Sequence, residues 1–284
     1  MEQTITKDIV VLYHGNCTDG FSAAWAAWKK FGDSADYIAM NFRSLPPDNL
    51  EGKEIYIMDY YFPEPITRKL MENNKRVTGI DHHETGEAIV KMTKDYLFDI
   101  SRSGSVLVWK YFHPQEPVPK LLTHVEDMDL WKFNLPQTKE VFAYLDAVGY
   151  SFDNWEEAAK LAESREGFDK IVERGKVILK YQDSVIDAIV STNTIEVEFE
   201  GYKALAVNCP VFISQIGAKL AEKADIGIVW VQNERGTRYS LRSKGELDVS
   251  VIVVRFPGGG GHKNAAGFLL APGSKHPWKN KNEK

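Results

Sequence analysis

Residues 54–83 read EIYIMDYYFPEPITRKLMENNKRVTGIDHH, and the reading of this stretch decides the fold. Glu54–Met58 is a short apolar run stopped by Asp59, and the turn Phe62-Pro63-Glu64-Pro65 closes it off from the next element. A charged helical pattern around Ile66–Asn73 leads into a second run, Arg76–Ile80, stopped by Asp81. Strand, helix and strand in this order predict a parallel pair joined by a crossover helix. Upstream, Ile9–Tyr13 is another β-branched run, followed by an Ala/Trp-rich helix over Ser22–Phe31 with Ser22 as its expected cap. The β-α-β-α-β order therefore predicts an α/β fold with a parallel sheet. Ligands of such sheets bind beyond the carboxyl ends of the strands. The residues just after each strand, His14 to Asp19, Asp59, and Asp81 to His83, are expected to converge there.

Further along, helical patterns run from Ser105 to Val190 with breaks at Pro114, Pro117, Pro119 and Pro136. Trp155–Val190 lacks proline and reads as one or two long helices connecting two lobes. In the second lobe, Thr194–Phe199 and Ala204–Asn208 predict a hairpin around Glu200-Gly201. A helix near Ile213–Lys223 and strands at Ile226–Val231, Arg238–Arg242 and Ala266–Leu270 complete it, and the polar tail from Ser274 is expected to fray. The expected organisation is a parallel-sheet domain over 1–150, a helical linker over 151–190, a smaller α/β domain over 191–273 and a tail over 274–284.

Composition bounds the function. The chain has 284 residues, 43% hydrophobic and 26% charged, which excludes a disordered or fibrous protein and suits two domains. Apolar runs such as Ile226–Val231 fall far short of the ~20 residues of a membrane span. No basic segment followed by an apolar stretch opens the chain, so no secretory signal is expected. Two cysteines, Cys17 and Cys209, argue against a disulfide framework and predict a cytoplasmic protein without a membrane partner. A net charge of −5 excludes a generally basic nucleic-acid coat. That charge is uneven: residues 1–189 carry 22 Lys and Arg against 31 Asp and Glu, and residues 190–284 carry 13 against 9. Much of the second excess lies in the tail, in Lys275, Lys279, Lys281 and Lys284 against Glu283.

Asp81-His82-His83 is the sharpest chemical feature. A carboxylate and two imidazoles ending a buried strand are expensive to desolvate unless a cation compensates. Mixed N/O donors suit Mn, Fe, Co or Zn. An isolated tripeptide of this kind reads equally well as a solvated turn. Asp59 at the next strand end and His14 with Asp19 at the first tilt the reading to metal. The second feature is Gly258-Gly259-Gly260-Gly261-His262-Lys263-Asn264-Ala265-Ala266-Gly267. Consecutive glycines let backbone N–H groups close on an anion, with His262 and Lys263 adding donors. Arg242, in Ser240-Leu241-Arg242-Ser243, is suited to bidentate phosphate binding. Trp109, Trp131, Tyr111 and Phe112 are candidates for base stacking, although helical spacing favours core packing for them.

These motifs, HGNCTDG at 14–20, Asp59 in IMDYYFP, Asp81-His82-His83, VEDMDLW at 125–131 and the glycine run, resemble the DHH phosphoesterase superfamily. The resemblance is to the subgroup with an appended DHHA1 domain, which includes the nanoRNase-like oligoribonucleases, and it spans residues 9–270. It implies a DHH lobe and a DHHA1 lobe that grips substrate, and hydrolysis of phosphoric esters or anhydrides with one or two divalent ions. The expected ion is Mn2+, with Co2+, Mg2+, Zn2+ or Fe2+ as others the site would take. By this resemblance Asp59 bridges two ions, Asp19 and His82 hold one, and His14 holds the other. Asp129 is favoured over Asp127 as a further ligand, because Asp127 suits the orienting of a histidine. His83 contacts the scissile phosphate, with Asp81 supporting the histidines. Gly259, Gly260, Gly261 and His262 form the phosphate-binding loop, with Arg242 as a helper.

The first motif departs from the family pattern of two aspartates separated by one residue: Cys17 stands where the first would be. A soft thiolate prefers Zn or Fe(II) to Mn; as a packed loop residue it would instead leave one ion weakly held. The expected function is a metal-dependent phosphodiesterase acting on short oligonucleotides or on linear or cyclic dinucleotides, with a short nucleic acid or nucleotide as substrate and a homodimer as an allowed assembly. The alternatives are a phosphatase or pyrophosphatase on a small nucleotide or anhydride, and a non-catalytic nucleotide-binding protein.

Overall fold

The computed structural model describes residues 5–41 and 44–280 and divides the chain into two compact units, Met1–Leu179 and Lys180–Lys284. In the first, β1 (Ile9–His14), α1 (Thr18–Phe31), β2 (Ala35–Met40), β3 (Glu54–Met58), α2 (Glu64–Asn73), β4 (Arg76–Asp81), α3 (Glu87–Val90) and β5 (Asp95–Phe98) build a five-stranded parallel sheet in the order β2-β1-β3-β4-β5. The three inner strands are the ones read from the sequence. Their residues are apolar on both faces, and Val10, Val11, Leu12 and Ile55 are fully buried, as parallel strands covered on both sides require. The edge strands β2 and β5 went unread because ADYIAM and DYLF mix polar and apolar residues; Tyr96 is exposed.

The chain passes from β1 outward to β2 and returns to β3 on the other side of β1. The gap between the carboxyl ends of β1 and β3 is thus the place where strand order reverses, the usual crevice of open α/β sheets. His14 ends β1 and Asp59 follows β3 directly, on either side of this point.

Helices α4 (Gly104–Phe112), α5 (Lys120–Asp129), α6 (Thr138–Val148), α7 (Phe152–Glu163) and α8 (Arg165–Asn193) come next along the chain. The proline-free stretch is two helices, because Ser164 leaves the helical conformation and its Oγ accepts the Gly167 N–H at 3.0 Å, capping α8. Trp155, Ala158, Ala162, Phe168 and Ile171 pack in the core of the first unit, whereas Ile186 and Val190 of α8 pack in a cluster of the second. Ser22 caps nothing. Helix α1 begins earlier, after Cys17, and the fully buried Ser22 Oγ accepts the Trp155 indole N–H at 3.0 Å.

The second unit holds β6 (Ile195–Phe199), β7 (Tyr202–Asn208), α9 (Ile213–Ala221), β8 (Ile226–Asn233), β9 (Gly236–Ser243), α10 (Val249–Val253), β10 (Gly260–His262), β11 (Ala265–Leu270) and β12 (Lys279–Asn280) in one mixed sheet, ordered β10-β11-β9-β8-β7-β6-β12. The β6–β7 hairpin turns at Glu200-Gly201 as read from the sequence. The tail does not fray over its described part. His276 Nδ1 lies 2.7 Å from the Tyr239 hydroxyl, Trp278 packs against the core and β12 pairs with β6; Lys281, Glu283 and Lys284 lie outside the described residues. No helix among the described residues is long and apolar enough to cross a membrane.

Candidate metal centre

Strand ends, one helix end and one helix start deliver the side chains. Asp59 is fully buried and sits in the left-handed region, φ +52°, where a non-glycine residue is strained by about 1–3 kcal/mol. Its N–H donates to the Ile80 carbonyl at 2.9 Å, which pins the turn. Its Oδ2 lies 3.4 Å from His14 Nδ1 and its Oδ1 lies 3.2 Å from His82 Nε2. His82 Nε2 is 3.6 Å from Asp129 Oδ2, at the last residue of α5. The donor atoms fall into three groups, each within 4.8 Å: His14, Cys17 and Asp59; Asp19, His82 and Asp129; and Asp59, Asp81, His82 and His83.

Asp19 occupies the first turn of α1, and its Oδ1 accepts the Ser105 N–H at 3.1 Å from the start of α4. The partial positive charge of that helix start favours a carboxylate. Asp81 Oδ1 accepts the His82 N–H at 2.8 Å, the His83 N–H at 3.3 Å and His83 Nδ1–H at 2.7 Å. This fixes the His83 ring and its tautomer.

The electrostatics favour a cation. Burial opposes ionisation of Asp19, and Asp129 and Asp59 add repulsion, which together push it up to about 8. Burial and then Asp59 likewise raise Asp129. Burial acts against Asp59 too, but hydrogen bonding to His14 and His82 overrides it and holds Asp59 well below the carboxylate range. Burial also opposes the charge on His82, yet Asp59 and Asp129 outweigh it and carry it to about 10. For His83, Asp81 and Asp59 outweigh burial and raise it above its ordinary value.

The residues fit divalent ions. Donors at about 2.0–2.2 Å from an ion stand roughly 3.0–3.5 Å apart, the spacing of the His14, Asp59 and His82 atoms. Asp19 Oδ2, both Asp59 oxygens and Asp81 Oδ2 are buried without a hydrogen bond of good geometry.

Gly104 was not anticipated from the sequence. A Cβ there would stand 2.7 Å from Asp59 Cβ, 2.8 Å from Asp59 Oδ1 and 3.0 Å from Asp19 Oδ2. Only glycine lets the start of α4 close over these carboxylates. A glycine opening a helix is the visible signal, but nothing local ties it to Asp59. Asp127 does not join the cluster: its oxygens accept Asn134 N–H at 2.8 Å, Leu135 N–H at 3.2 Å and the Thr138 hydroxyl at 2.6 Å. It builds the turn after α5.

The remaining candidates belong to the second unit. The glycine run is not an open loop: Gly260–His262 is an edge strand, and a Cβ at Gly259 would meet the Val253 carbonyl at 1.7 Å, so packing on α10 already requires that glycine. Lys263 pairs with Glu246 at 2.9 Å, both side chains exposed. Arg242 pairs in register with Ala265 and Ala265 with His262, which sets Arg242 and His262 on one row and one face. Arg242 Nη2 donates to Ser214 Oγ at 2.7 Å and Nη1 to the Leu241 carbonyl at 2.9 Å, and burial draws its guanidinium down to about 10.

Comparison with known proteins places the chain. It is 31% identical over 288 residues to a protein of Acanthamoeba polyphaga mimivirus described as uncharacterized protein R106, covering 92% of this chain and 67% of the viral one. The two belong to one family. No family model matches. Among solved structures, an exopolyphosphatase-related protein from Bacteroides fragilis is similar with a TM-score of 0.50 and 14% identity, covering 96% of this chain and 88% of that one. This likeness shows the fold alone, a parallel-sheet unit followed by helices and a mixed-sheet unit. An uncharacterized protein from Helicobacter pylori G27 matches with a TM-score of 0.46 and 15% identity, over 93% of each chain. A Methanococcus jannaschii protein described as a putative family II inorganic pyrophosphatase matches with a TM-score of 0.36 and 18% identity, over 96% of each.

Proposed function

We propose that this chain is a two-metal phosphodiesterase that hydrolyses short oligonucleotides or linear or cyclic dinucleotides. The observation that carries the two-metal reading is Asp59: a buried carboxylate whose two oxygens face two different donor groups, at 3.4 and 3.2 Å. Divalent ions held there supply Lewis acidity, which neutralises charge on phosphoryl oxygens and acidifies water. The protein positions the rest. Asp81 keeps His83 protonated at Nδ1 and favours its doubly protonated form, so that the Nε2 proton is held ready for a phosphoryl or leaving oxygen as negative charge builds there.

The preference for a nucleotide rests on Trp131. It lies two residues beyond Asp129 with φ +54°, is 47% exposed, and meets Phe133 edge-on at 4.9 Å. An exposed, backbone-strained indole beside a candidate ligand suits base stacking. Trp109, by contrast, is buried, and Tyr111 and Phe112 pack against the same core. A pyrophosphatase or exopolyphosphatase is the second reading, favoured by the description of the Bacteroides structure. Products from a panel of pApA, cyclic dinucleotides, a 3′,5′-bisphosphate nucleotide and pyrophosphate, in Mn2+, separate the two. Mononucleotides from pApA are expected. Phosphate from pyrophosphate with the dinucleotides left intact would overturn the proposal in favour of the second reading.

A further inference from the structure

We propose that the cluster comprises two unlike metal sites, and that Cys17 makes the His14 side a sulfur-containing site that selects a soft divalent ion such as Zn2+ or Fe2+. This inference rests on the two-metal reading above. Cys17 Sγ lies within 4.8 Å of the ligand atoms of His14 and Asp59. The second observation is Asp59 itself, 1% exposed, with an Oδ2 that lies 3.4 Å from His14 Nδ1 and has no hydrogen bond of good geometry. Cys17 precedes α1 with extended backbone, φ −130° and ψ 132°, and its side chain makes no capping hydrogen bond. Burial, and then Asp59, Asp129 and Asp19, hold the Cys17 thiol well above its ordinary value against the lowering effect of the Gly20 N–H at the helix start, so a cation bound there has to displace the thiol proton.

Two residues further on, Asp19 joins the other group, with His82 and Asp129. The turn thus distributes its two ligands unequally: imidazole, sulfur and carboxylate on one side, imidazole and two carboxylates on the other. Thiolate selects Zn2+, Fe2+ or Co2+, whereas a carboxylate-rich set suits Mn2+ or Mg2+. The chain's other cysteine shows what a packing role looks like. Cys209 is buried with Val207, Ile216 and Leu220, and its Sγ–H donates to the Val211 carbonyl at 3.2 Å.

The test is titration of the chelator-stripped, reduced full chain with Co2+, monitored by absorption. The wild type is expected to develop a thiolate-to-cobalt charge-transfer band in the near ultraviolet that saturates at one equivalent. Cys17→Ser and Cys17→Asp should bind Co2+ with visible ligand-field bands but without that band, and Cys209→Ser should keep it. Loaded with equimolar Zn2+ and Mn2+, the wild type should retain one of each. Cys17→Asp should lose Zn2+ affinity at least about tenfold, since even indirect support of a ligand is worth that much. Co2+ binding to the wild type without the charge-transfer band overturns the role of Cys17 and leaves the two-metal reading standing. No Co2+ binding at all overturns both.

Discussion

Asp59 concentrates the chemistry of this protein in one side chain. It is buried, backbone-strained and set between two donor groups, and a left-handed aspartate persists only where its surroundings fix it. Asp59→Asn keeps the shape and removes the charge. Turnover should fall by about a thousandfold or more, and the stabilisation that Mn2+ gives in a thermal melt should vanish. Wild-type activity in this variant would sink the metal model. Asp81 acts differently, through His83. Asp81→Asn should reduce kcat by about 10–100-fold while leaving Mn2+ binding intact. Because Asp81 raises His83, its loss lowers the His83 pKa, and the alkaline limb of the pH–rate profile should move to lower pH. An unmoved limb would show that Asp81 is a packing residue only.

At the scale of elements, the site is where a parallel sheet says it must be, and that is why so much of it was legible. Once β1, β3 and β4 were recognised by their apolar runs, topology brought His14, Asp59 and Asp81 to one edge without further information. What stayed hidden depends on contacts between distant segments. Gly104 matters because α4 begins against Asp59, and Ser22 is polar inside a helix because Trp155 reaches it. The glycine run read as a loop because repeated glycine carries no strand signal, although pairing with β11 makes it one. Two predictions belong here. Gly104→Ala should displace Asp59 and Asp19, weakening Mn2+ binding at least about tenfold by calorimetry with the fold retained by circular dichroism. Unchanged Mn2+ affinity would mean that the start of α4 has room to retreat. Trp131→Ala, in the turn after α5, should weaken dinucleotide binding by about 1–3 kcal/mol and leave Mn2+ binding alone. An unaltered KM for pApA would remove the indole from the substrate site.

For the molecule as a whole, the clustered buried carboxylates and imidazoles lie in the first unit, and they couple stability to pH with a definite sign. A group whose folded pKa is raised binds protons more tightly folded than unfolded, so its contribution declines as pH climbs from the unfolded to the folded value. Asp19 goes from 3.8 to about 8 and His82 from 6.5 to about 10, and His14, His83 and Asp129 are raised as well. From pH 6.5 to 8 these shifts act in one direction. Asp59 is lowered, but its contribution is lost only in acid, below 3.8; His124 and His276 are lowered and act below 6.5. The metal-free protein should therefore lose thermal stability as pH rises through this window. Ions take the place of the departing protons and bind only the folded cluster, so the increase in Tm given by Mn2+ should be larger at pH 8 than at pH 6.5. Melts in chelator and in Mn2+ at both values measure this directly, and Asp19→Asn should flatten the metal-free dependence. A metal-free Tm that climbs over this range would show that the cluster's carboxylates and imidazoles do not share their protons as their geometry implies.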